Sequence, residues 1–432
     1  MNSTTNLTSV PCDDTGNKAA NEFFNHFSYW TEYVLQNIIG SVGIASNVIA
    51  IPVLCSRELR NIFNCLLLSL AVFDSFFILC QMLEARRKII NTNHLLGREY
   101  SEAHEYAFAY FLYQFHSYVL CCSMYITISL ALERYRAVCK PVEYYNNTRG
   151  VNPWKKMGLG YLIPVMFFSL LFNVPKLFEI RLGVLIRPLY QNGTRTGSRN
   201  LTMAEPTDLR MNEAYVIAWV NVAKLIVHGI IPFASLSFFN HRIYRVIRRK
   251  QLTTCQSTKM RPTSGTQEST SMEQDTIKNK ENSATQRKAF EKKQAFVLLS
   301  IVCMHLICHI PRFLINLHEF FSLDILRKGV APLKYGKLNC ESFPIWALAI
   351  TSVSHCLLTL NSSSNLFIYC FTCSTFRDAL CQWGSRFCQF FSCSCCHCTE
   401  RFKSQNPKTE LIGEEETGIP LKTIETDFTE IS

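Results

Sequence analysis

Charged residues are scarce in this sequence of 432 residues. Only 18% of the chain is Asp, Glu, Lys or Arg, whereas 48% is hydrophobic. A soluble protein of this composition would have difficulty burying its hydrophobic side chains away from water. The first 29 residues also lack the apolar core that a cleavable signal peptide needs. We therefore expect an integral membrane protein whose first membrane span directs its own insertion.

Long apolar windows are what the sequence has instead. A helix needs roughly 20 residues to cross a bilayer, and seven windows of that kind occur. They are Trp30–Leu54, Cys65–Leu83, Ala107–Leu132, Met157–Phe178, Ala214–Phe239, Ala295–Leu314 and Phe343–Phe371. The last window contains the polar run 361–365, which must face a protein interior because it is costly against lipid. The windows predict an all-α membrane protein, a seven-transmembrane helix bundle over residues 30–372.

Glycosylation sequons and basic residues predict the orientation of this bundle. Sequons in the N-terminal segment and in the loop after the fourth window fall on one side, at Asn2, Asn6, Asn192 and Asn200. Lys and Arg are more frequent on the other side, and this excess accounts for most of the net charge of +11. Both signals predict a multi-pass plasma membrane protein with an extracellular, glycosylated N-terminus, residues 1–29.

Two cytoplasmic segments have distinctive compositions. Residues 250–286 are rich in Ser, Thr, Gln and Lys, which predicts a disordered loop. Residues 373–390 place Phe376, Leu380 and Phe387 among polar neighbours. This pattern predicts a short amphipathic helix on the membrane surface.

Polar residues inside the windows carry the functional signal, because such residues are expensive in a membrane. Asp74 stands mid-window without a basic neighbour, so it needs polar partners or a cation. Glu133, Arg134 and Tyr135 follow one another at the inner end of the third window. Later come Pro232, the run Cys308-His309-Ile310-Pro311 and the run Asn365-Leu366-Phe367-Ile368-Tyr369. In this order and spacing, the set resembles the rhodopsin-like (class A) G-protein-coupled receptors over about residues 30–389.

The resemblance implies a switch at the inner membrane boundary. Arg134 would leave the resting state to contact a heterotrimeric G protein, and Glu133 would hold it locally until then. Glu291 is placed to offer Arg134 a second carboxylate, and a solvated charge at a helix start is the alternative interpretation. Tyr369 would be the gate residue of the seventh helix.

The resemblance also implies a sodium site around the mid-window carboxylate. Its members would be Asp74, Ser123, Asn361, Ser362 and Asn365. Such oxygen-bearing side chains suit a hard cation. A water-filled polar core is the alternative, and no other cofactor is expected.

Departures from the family pattern indicate which subfamily of these receptors the sequence resembles most. His309 replaces the usual sixth-helix tryptophan. Ala109 stands where the third helix usually has a cysteine, and residues 179–212 contain none, so both halves of the usual disulfide are missing. Cys12 and Cys340 are the clearly extracellular thiols that could bridge in that oxidising compartment. The sequence looks most like the invertebrate FMRFamide-type peptide receptors.

An extracellular neuropeptide is therefore the expected ligand, and specifically an amidated FMRFamide-like peptide. His116 stands where amine receptors have an acidic residue, and the seventh window has no lysine for retinal, so both ligand classes are disfavoured. Glu84 or Glu179 could pair with the arginine of an Arg-Phe-amide peptide. The candidate contacts are Glu84, Gln114, His116, Glu179, Lys224, His228, His309, Arg312, Asn316 and His355. Another peptide or a small ligand is the alternative.

The tail, residues 391–432, begins with a cysteine cluster. Its candidate thiols are Cys393, Cys395, Cys396 and Cys398. Palmitoylation is favoured over zinc ligation, because the cluster follows a membrane-surface helix in a reducing compartment. Ser and Thr residues of the tail and third inner loop are candidate kinase sites, whose phosphates would attract arrestin.

A membrane enzyme and a transporter are the rival classes. His305 and His309 lie four residues apart, but no glutamate or third ligand accompanies them, so zinc catalysis is disfavoured. Transport would favour charges at matching positions in two halves of the chain, and none are seen. We therefore expect a receptor and no enzyme, with membrane lipid and no nucleic acid among its partners.

Overall fold

A computed structural model describes residues 18–92, 98–191, 194–259, 295–318 and 345–390. Within these ranges, seven helical stretches are long and apolar enough to cross a membrane. They are Glu22–Leu54, Ile62–Arg87, Glu102–Cys139, Pro153–Phe178, Glu213–Arg249, Ala295–His318 and Ile345–Ser363, which we number the first to the seventh span. Each span overlaps one predicted window, so the all-α, seven-span architecture is confirmed.

The described helices are α-helices, which in places continue into short 3-10 helices, wound more tightly than an α-helix, or π-helices, wound more widely. Besides the sixth span, Ala295–His318, the α-helices are Lys18–Ser28, Gln36–Leu54, Ile62–Thr92, Arg98–Ala107, Tyr113–Cys139, Pro141–Thr148, Pro153–Met157, Ile163–Asn173, Asp208–Met211, Glu213–Tyr215, Ile231–Lys259, Ile345–Ser363, Asn365–Thr372 and Ser374–Phe390. Short 3-10 turns cover Arg57–Leu59 and Val174–Phe178, and wider π turns cover Tyr29–Leu35, Phe108–Leu112, Gly158–Leu162, Val216–Ala223 and Ile226–Ile230.

Two of the wide turns are explained by a proline that follows them. Gly158–Leu162 precedes Pro164, and Ile226–Ile230 precedes Pro232. A proline ring crowds the carbonyl of the preceding turn and removes one backbone hydrogen bond. The backbone of that turn is therefore wider than an α-helix in both spans.

Burial identifies the centre of the bundle. The most apolar stretches of the second and third spans are 67% and 61% buried, whereas those of the fourth and fifth are 28% and 22% buried. The rim exposes large apolar side chains, such as Phe167, Leu170 and Phe371. Such a surface requires lipid around it, because helices satisfy their own backbone polar groups and leave only side chains to the bilayer.

The first and seventh spans approach each other closely. A Cβ atom at Gly43 would stand 2.0 Å from Oγ of Ser363, so only glycine fits there. Close approach lets polar side chains bridge the two spans. Ser46 Oγ donates to the carbonyl of Ser363 at 3.2 Å, and Asn47 Nδ2 donates to the carbonyl of Ser362 at 3.2 Å.

The loop after the fourth span folds into a β-hairpin, which the sequence predicted only as a loop. Strand β1, Ile180–Gln191, pairs antiparallel with strand β2, Thr194–Pro206. Arg181 stands opposite Glu205, and their side chains form an ion pair with Nε and Oε1 2.8 Å apart. This exposed cross-strand charge pair contributes about 0.2–1 kcal/mol to the register at the end of the hairpin nearest the fourth span.

Helices also continue beyond the spans. Helix Ser374–Phe390 confirms the short helix predicted after the last span. Helix Ile231–Lys259 extends into the segment 250–286, the rest of which lies outside the described residues. The chain divides into the unit Met1–Leu380, which contains the seven spans, and the unit Cys381–Ser432.

Candidate functional site

Asp74 is the centre of a polar network in the middle of the bundle. Its side chain is 1% exposed and accepts three hydrogen bonds, from the third span, the seventh span and the helix Asn365–Thr372 that follows it. Ser123 Oγ and Ser362 Oγ donate to Oδ1 at 2.6 Å and 2.9 Å, and Asn365 Nδ2 donates to Oδ2 at 2.6 Å. The polar run of the seventh window therefore faces the protein interior, as the cost of exposing it to lipid requires.

The residues around Asp74 fit a hard cation in part. A carboxylate and two hydroxyl groups supply oxygen atoms, and each hydroxyl hydrogen can rotate to leave a lone pair for a cation. Among the described residues, Asn361 makes no side-chain hydrogen bond to Asp74, although the sequence grouped it with this site. The sodium site stays a prediction.

A cavity of about 260 Å³ lies between the outer halves of the second to seventh spans. Eight of the ten predicted ligand contacts line it: Glu84, His116, Lys224, His228, His309, Arg312, Asn316 and His355. Lys176 and Tyr113 also line it, and the sequence reasoning did not select them. Lys176 stands at the end of an apolar window, where a lysine normally suggests only an anchor at the membrane surface.

Polar side chains of the cavity wall contact one another across the spans. Oε2 of Glu84 lies 3.6 Å from Nδ1 of His116, and Gln81 Nε2 lies 3.3 Å from Nδ1 of His355. His309 is 5% exposed and stacks on His305 with the ring centroids 3.9 Å apart. The wall is thus polar and rich in imidazoles, on a scaffold of apolar helices.

Two predicted ligand contacts lie off the cavity. Gln114 Nε2 donates to the carbonyl of Ala109 within the third span at 2.6 Å. Glu179 is 2% exposed and accepts from the hydroxyls of Tyr113 at 2.5 Å and Tyr215 at 2.8 Å. Tyr113 lines the cavity and Glu179 does not, so the contacts that the structure gives Glu179 are with two tyrosines.

At the inner end of the third span, Glu133 and Arg134 both lie against aromatic side chains. The guanidinium carbon of Arg134 lies 4.0 Å from the centre of the Phe63 ring. Both carboxylate oxygens of Glu133 accept from tyrosines, Oε1 from Tyr144 at 2.6 Å and Oε2 from Tyr161 at 2.5 Å. Glu133 thereby joins the inner helix Pro141–Thr148 to the fourth span, and its role in holding Arg134 stays a prediction.

The other predicted switch residues are also placed near the inner side. Tyr135 packs against Phe238 and Phe239 of the fifth span, at ring distances of 6.3 Å and 5.4 Å. Tyr369 is 1% exposed, contacts the ring of Phe376, and has a buried hydroxyl without a hydrogen-bond partner in the described part of the chain. A buried hydroxyl of this kind is unusual, and it fits a side chain that changes partners.

Comparison with known families decides the identity of the bundle. The family profile of the seven-transmembrane receptors of the rhodopsin family matches residues 46–369, which takes in every site described above. The chain belongs to this family. It is a multi-pass membrane receptor and not an enzyme, as its sequence predicted.

Two relatives of this receptor are informative. The FMRFamide receptor of Drosophila melanogaster is 25% identical over 83% of the chain and 54% of its own length. A probable G-protein coupled receptor of Caenorhabditis elegans is 24% identical over 84% of the chain and 69% of its own length. This receptor therefore spans little more than half of the Drosophila relative.

Several predicted site residues of the receptor lie outside the residues that the structure describes. They are Glu291 of the switch, Cys12 and Cys340, the sequon asparagines Asn2, Asn6 and Asn192, and the tail thiols Cys393, Cys395, Cys396 and Cys398. The fourth sequon asparagine, Asn200, lies in strand β2 opposite Ile186. Their roles stay predictions.

Proposed function

We propose that this receptor binds an extracellular peptide in the outer cavity and activates a heterotrimeric G protein through Arg134. The observation that carries the proposal is the cavity itself, where six spans bring eight predicted contacts together. A movement of the spans around a ligand there would reach the inner end through the packed second and third spans. An amidated FMRFamide-like peptide is the proposed ligand, supported by the likeness to the Drosophila FMRFamide receptor.

Ligand-dependent nucleotide exchange on G proteins tests this function directly. Membranes containing the full chain would be exposed to Phe-Met-Arg-Phe amide and to a panel of unrelated amidated peptides. We expect exchange to rise with the first peptide. A response only to another class of ligand would reject the FMRFamide-like assignment and keep the receptor function.

A matched pair of arginine variants tests the proposed role of Arg134. Arg134→Gln should abolish the exchange response while peptide binding persists, because the guanidinium is proposed to contact the G protein. Arg149→Gln is the control, since Arg149 is an exposed arginine on the same side of the bundle. Equal signalling by both variants would contradict the role of Arg134.

A further inference from the structure

A cavity of about 490 Å³ opens at the inner end of the fourth span. Two adjacent cations, Lys155 and Lys156, line this inner cavity together with apolar and backbone surface from Leu159, Gly150 and Gly160. None of the described residues that line it is acidic. The inner cavity therefore has a net positive lining at the boundary between membrane and cytoplasm, where it can attract an anion.

The two lysines are held differently. Lys156 Nζ donates to the carbonyl of Asn147 at 2.9 Å and lies 5.8 Å from the centre of the Tyr144 ring. These contacts fix its ammonium group at the wall of the inner cavity, and an ammonium group bonded to one acceptor can still donate to others. Lys155 is exposed at the next position. The pair suits an anion that accepts several charge-assisted hydrogen bonds, such as a phosphate group.

Glycines keep the inner cavity open. Gly150, whose φ of +74° favours glycine, turns the chain between helix Pro141–Thr148 and the fourth span. A Cβ atom at Gly160 would meet no other atom within 4 Å, so this position also borders open space. A water molecule occupies about 30 Å³ of the liquid, so the inner cavity has room for a group much larger than one phosphate.

One wall of the inner cavity leads onto the surface that faces lipid. Leu159 lines the cavity and is 59% exposed. Ile163 and Phe167 follow at intervals of four residues and are 54% and 61% exposed. A soluble anion would contact the lysines and leave this apolar surface unused, whereas a phospholipid would use both. The inner leaflet also contains anionic lipids, which attract lysines close to the membrane surface.

We propose that the inner cavity binds the headgroup of an anionic phospholipid from the inner leaflet. Its phosphate oxygens accept hydrogen bonds from the ammonium groups of Lys155 and Lys156, and an acyl chain packs along Leu159 and Ile163. This site lies at the opposite end of the bundle from the outer cavity and does not depend on which ligand binds there.

The test measures binding of fluorescent phosphatidylinositol bisphosphate to the purified full-length receptor in phosphatidylcholine nanodiscs. Lys155→Gln should weaken binding by about threefold to tenfold, the contribution of one lysine near an anionic surface. Lys140→Gln is the control, because Lys140 is another exposed lysine on the inner side, pairs with Glu143 and does not line the inner cavity. Equal losses in the two variants would show that only the general charge of the surface attracts the lipid, and would overturn the proposal.

A second pair of variants fills the inner cavity without changing its charge. Gly160→Leu would place a side chain in the open space and should weaken lipid binding by a similar factor. Gly158→Leu is the control, since a Cβ atom at Gly158 also meets no other atom within 4 Å but this residue does not line the cavity. Unchanged binding in Gly160→Leu would show that no headgroup is seated there.

Soluble anions distinguish a lipid from a free phosphate compound. Inorganic phosphate and inositol trisphosphate should displace the fluorescent lipid only at concentrations about tenfold or more above those of unlabelled lipid, because they bury no apolar surface. Leu159→Ser should weaken lipid binding, whereas Leu170→Ser, at a similarly exposed position of the same span, should not. Displacement by inositol trisphosphate as effective as that by lipid, or equal binding in the two leucine variants, would reject a lipid as the occupant.

Discussion

Glu105 accepts a hydrogen bond of 2.9 Å from the backbone N–H of Ala204. Its other carboxylate oxygen lies 3.1 Å from Nη1 of Arg87, and the side chain is 1% exposed. One carboxylate thus joins the second span, the third span and strand β2. Glu105 stands one helical turn outward of Ala109, the position that lacks the family's usual cysteine, so a noncovalent contact ties the hairpin to the third span.

Removing this carboxylate should loosen the hairpin. Glu105→Ala leaves the Ala204 N–H without its acceptor and Arg87 without its ion pair, which should cost about 1–3 kcal/mol of stability. Hydrogen exchange of strand β2 should become faster, and the unfolding temperature should fall. Glu102→Ala, at an exposed position one turn away, should leave both measurements unchanged. Unaltered exchange in Glu105→Ala would show that the hairpin is held by other contacts.

The contact between Glu133 and Tyr144 should hold the inner helix Pro141–Thr148 in place. Tyr144→Phe keeps the ring and removes the donor, so Tyr161 is the donor that the buried carboxylate retains within the described ranges. We expect a loss of about 1–3 kcal/mol and faster hydrogen exchange in that helix. Tyr145→Phe is the control, since the Tyr145 hydroxyl donates no bond to Glu133. Identical hydrogen exchange in the two variants would show that the bond from Tyr144 to Glu133 does not hold this helix in place.

The same contact should be insensitive to pH near neutrality. Burial, together with the neighbouring carboxylate of Glu133, raises the pKa of Tyr144 above its ordinary value of about 10. The hydroxyl therefore remains a protonated donor throughout the physiological range, and the bond would open only above the raised pKa. Hydrogen exchange of the helix, corrected for the intrinsic rate, should be flat between about pH 6 and 9. A transition near neutral pH would indicate that another group controls it.

The sequence predicted the spans and most of the cavity because both depend on local patterns. Apolar length gives a span, and polar residues within a span must face the interior, which is why His116, Lys224 and Arg312 were found. The partners of Glu179 and Glu133 could not be found this way. Each is bonded to tyrosines of another segment, and a tyrosine near a membrane surface has no sequence pattern that identifies its acceptor.

The dependence of agonist affinity on sodium should disappear when the charge of Asp74 is removed. If the predicted site binds sodium, sodium chloride should lower agonist affinity relative to choline chloride, because the ion would favour the resting arrangement. Asp74→Asn should remove this difference, since the hydroxyls of Ser123 and Ser362 alone do not neutralise a cation. Asp378→Asn, on the exposed face of the helix after the last span, should keep it. Equal sodium effects in both variants would reject the site.

The packing of Gly43 against Ser363 should make the first span intolerant of a single methyl group. In Gly43→Ala the new Cβ would meet Ser363 Oγ at 2.0 Å and its Cβ at 2.6 Å, so the two spans must separate. Overpacking of this kind costs about 1–3 kcal/mol, and separation would also weaken the bond from Ser46 to the Ser363 carbonyl. The unfolding temperature of the purified receptor should fall by several degrees.

A second glycine separates a steric effect from the general effect of alanine in a helix. A Cβ atom at Gly158 meets no other atom within 4 Å, so Gly158→Ala should be neutral or slightly stabilising. Combining Gly43→Ala with Ser363→Gly removes the two clashing atoms of Ser363, which are the nearest, and should restore much of the lost stability. If the double variant is no more stable than Gly43→Ala alone, the first span is limited by a different contact, and Ile78, whose Cδ1 would lie 2.9 Å from the new methyl group, becomes the limiting neighbour.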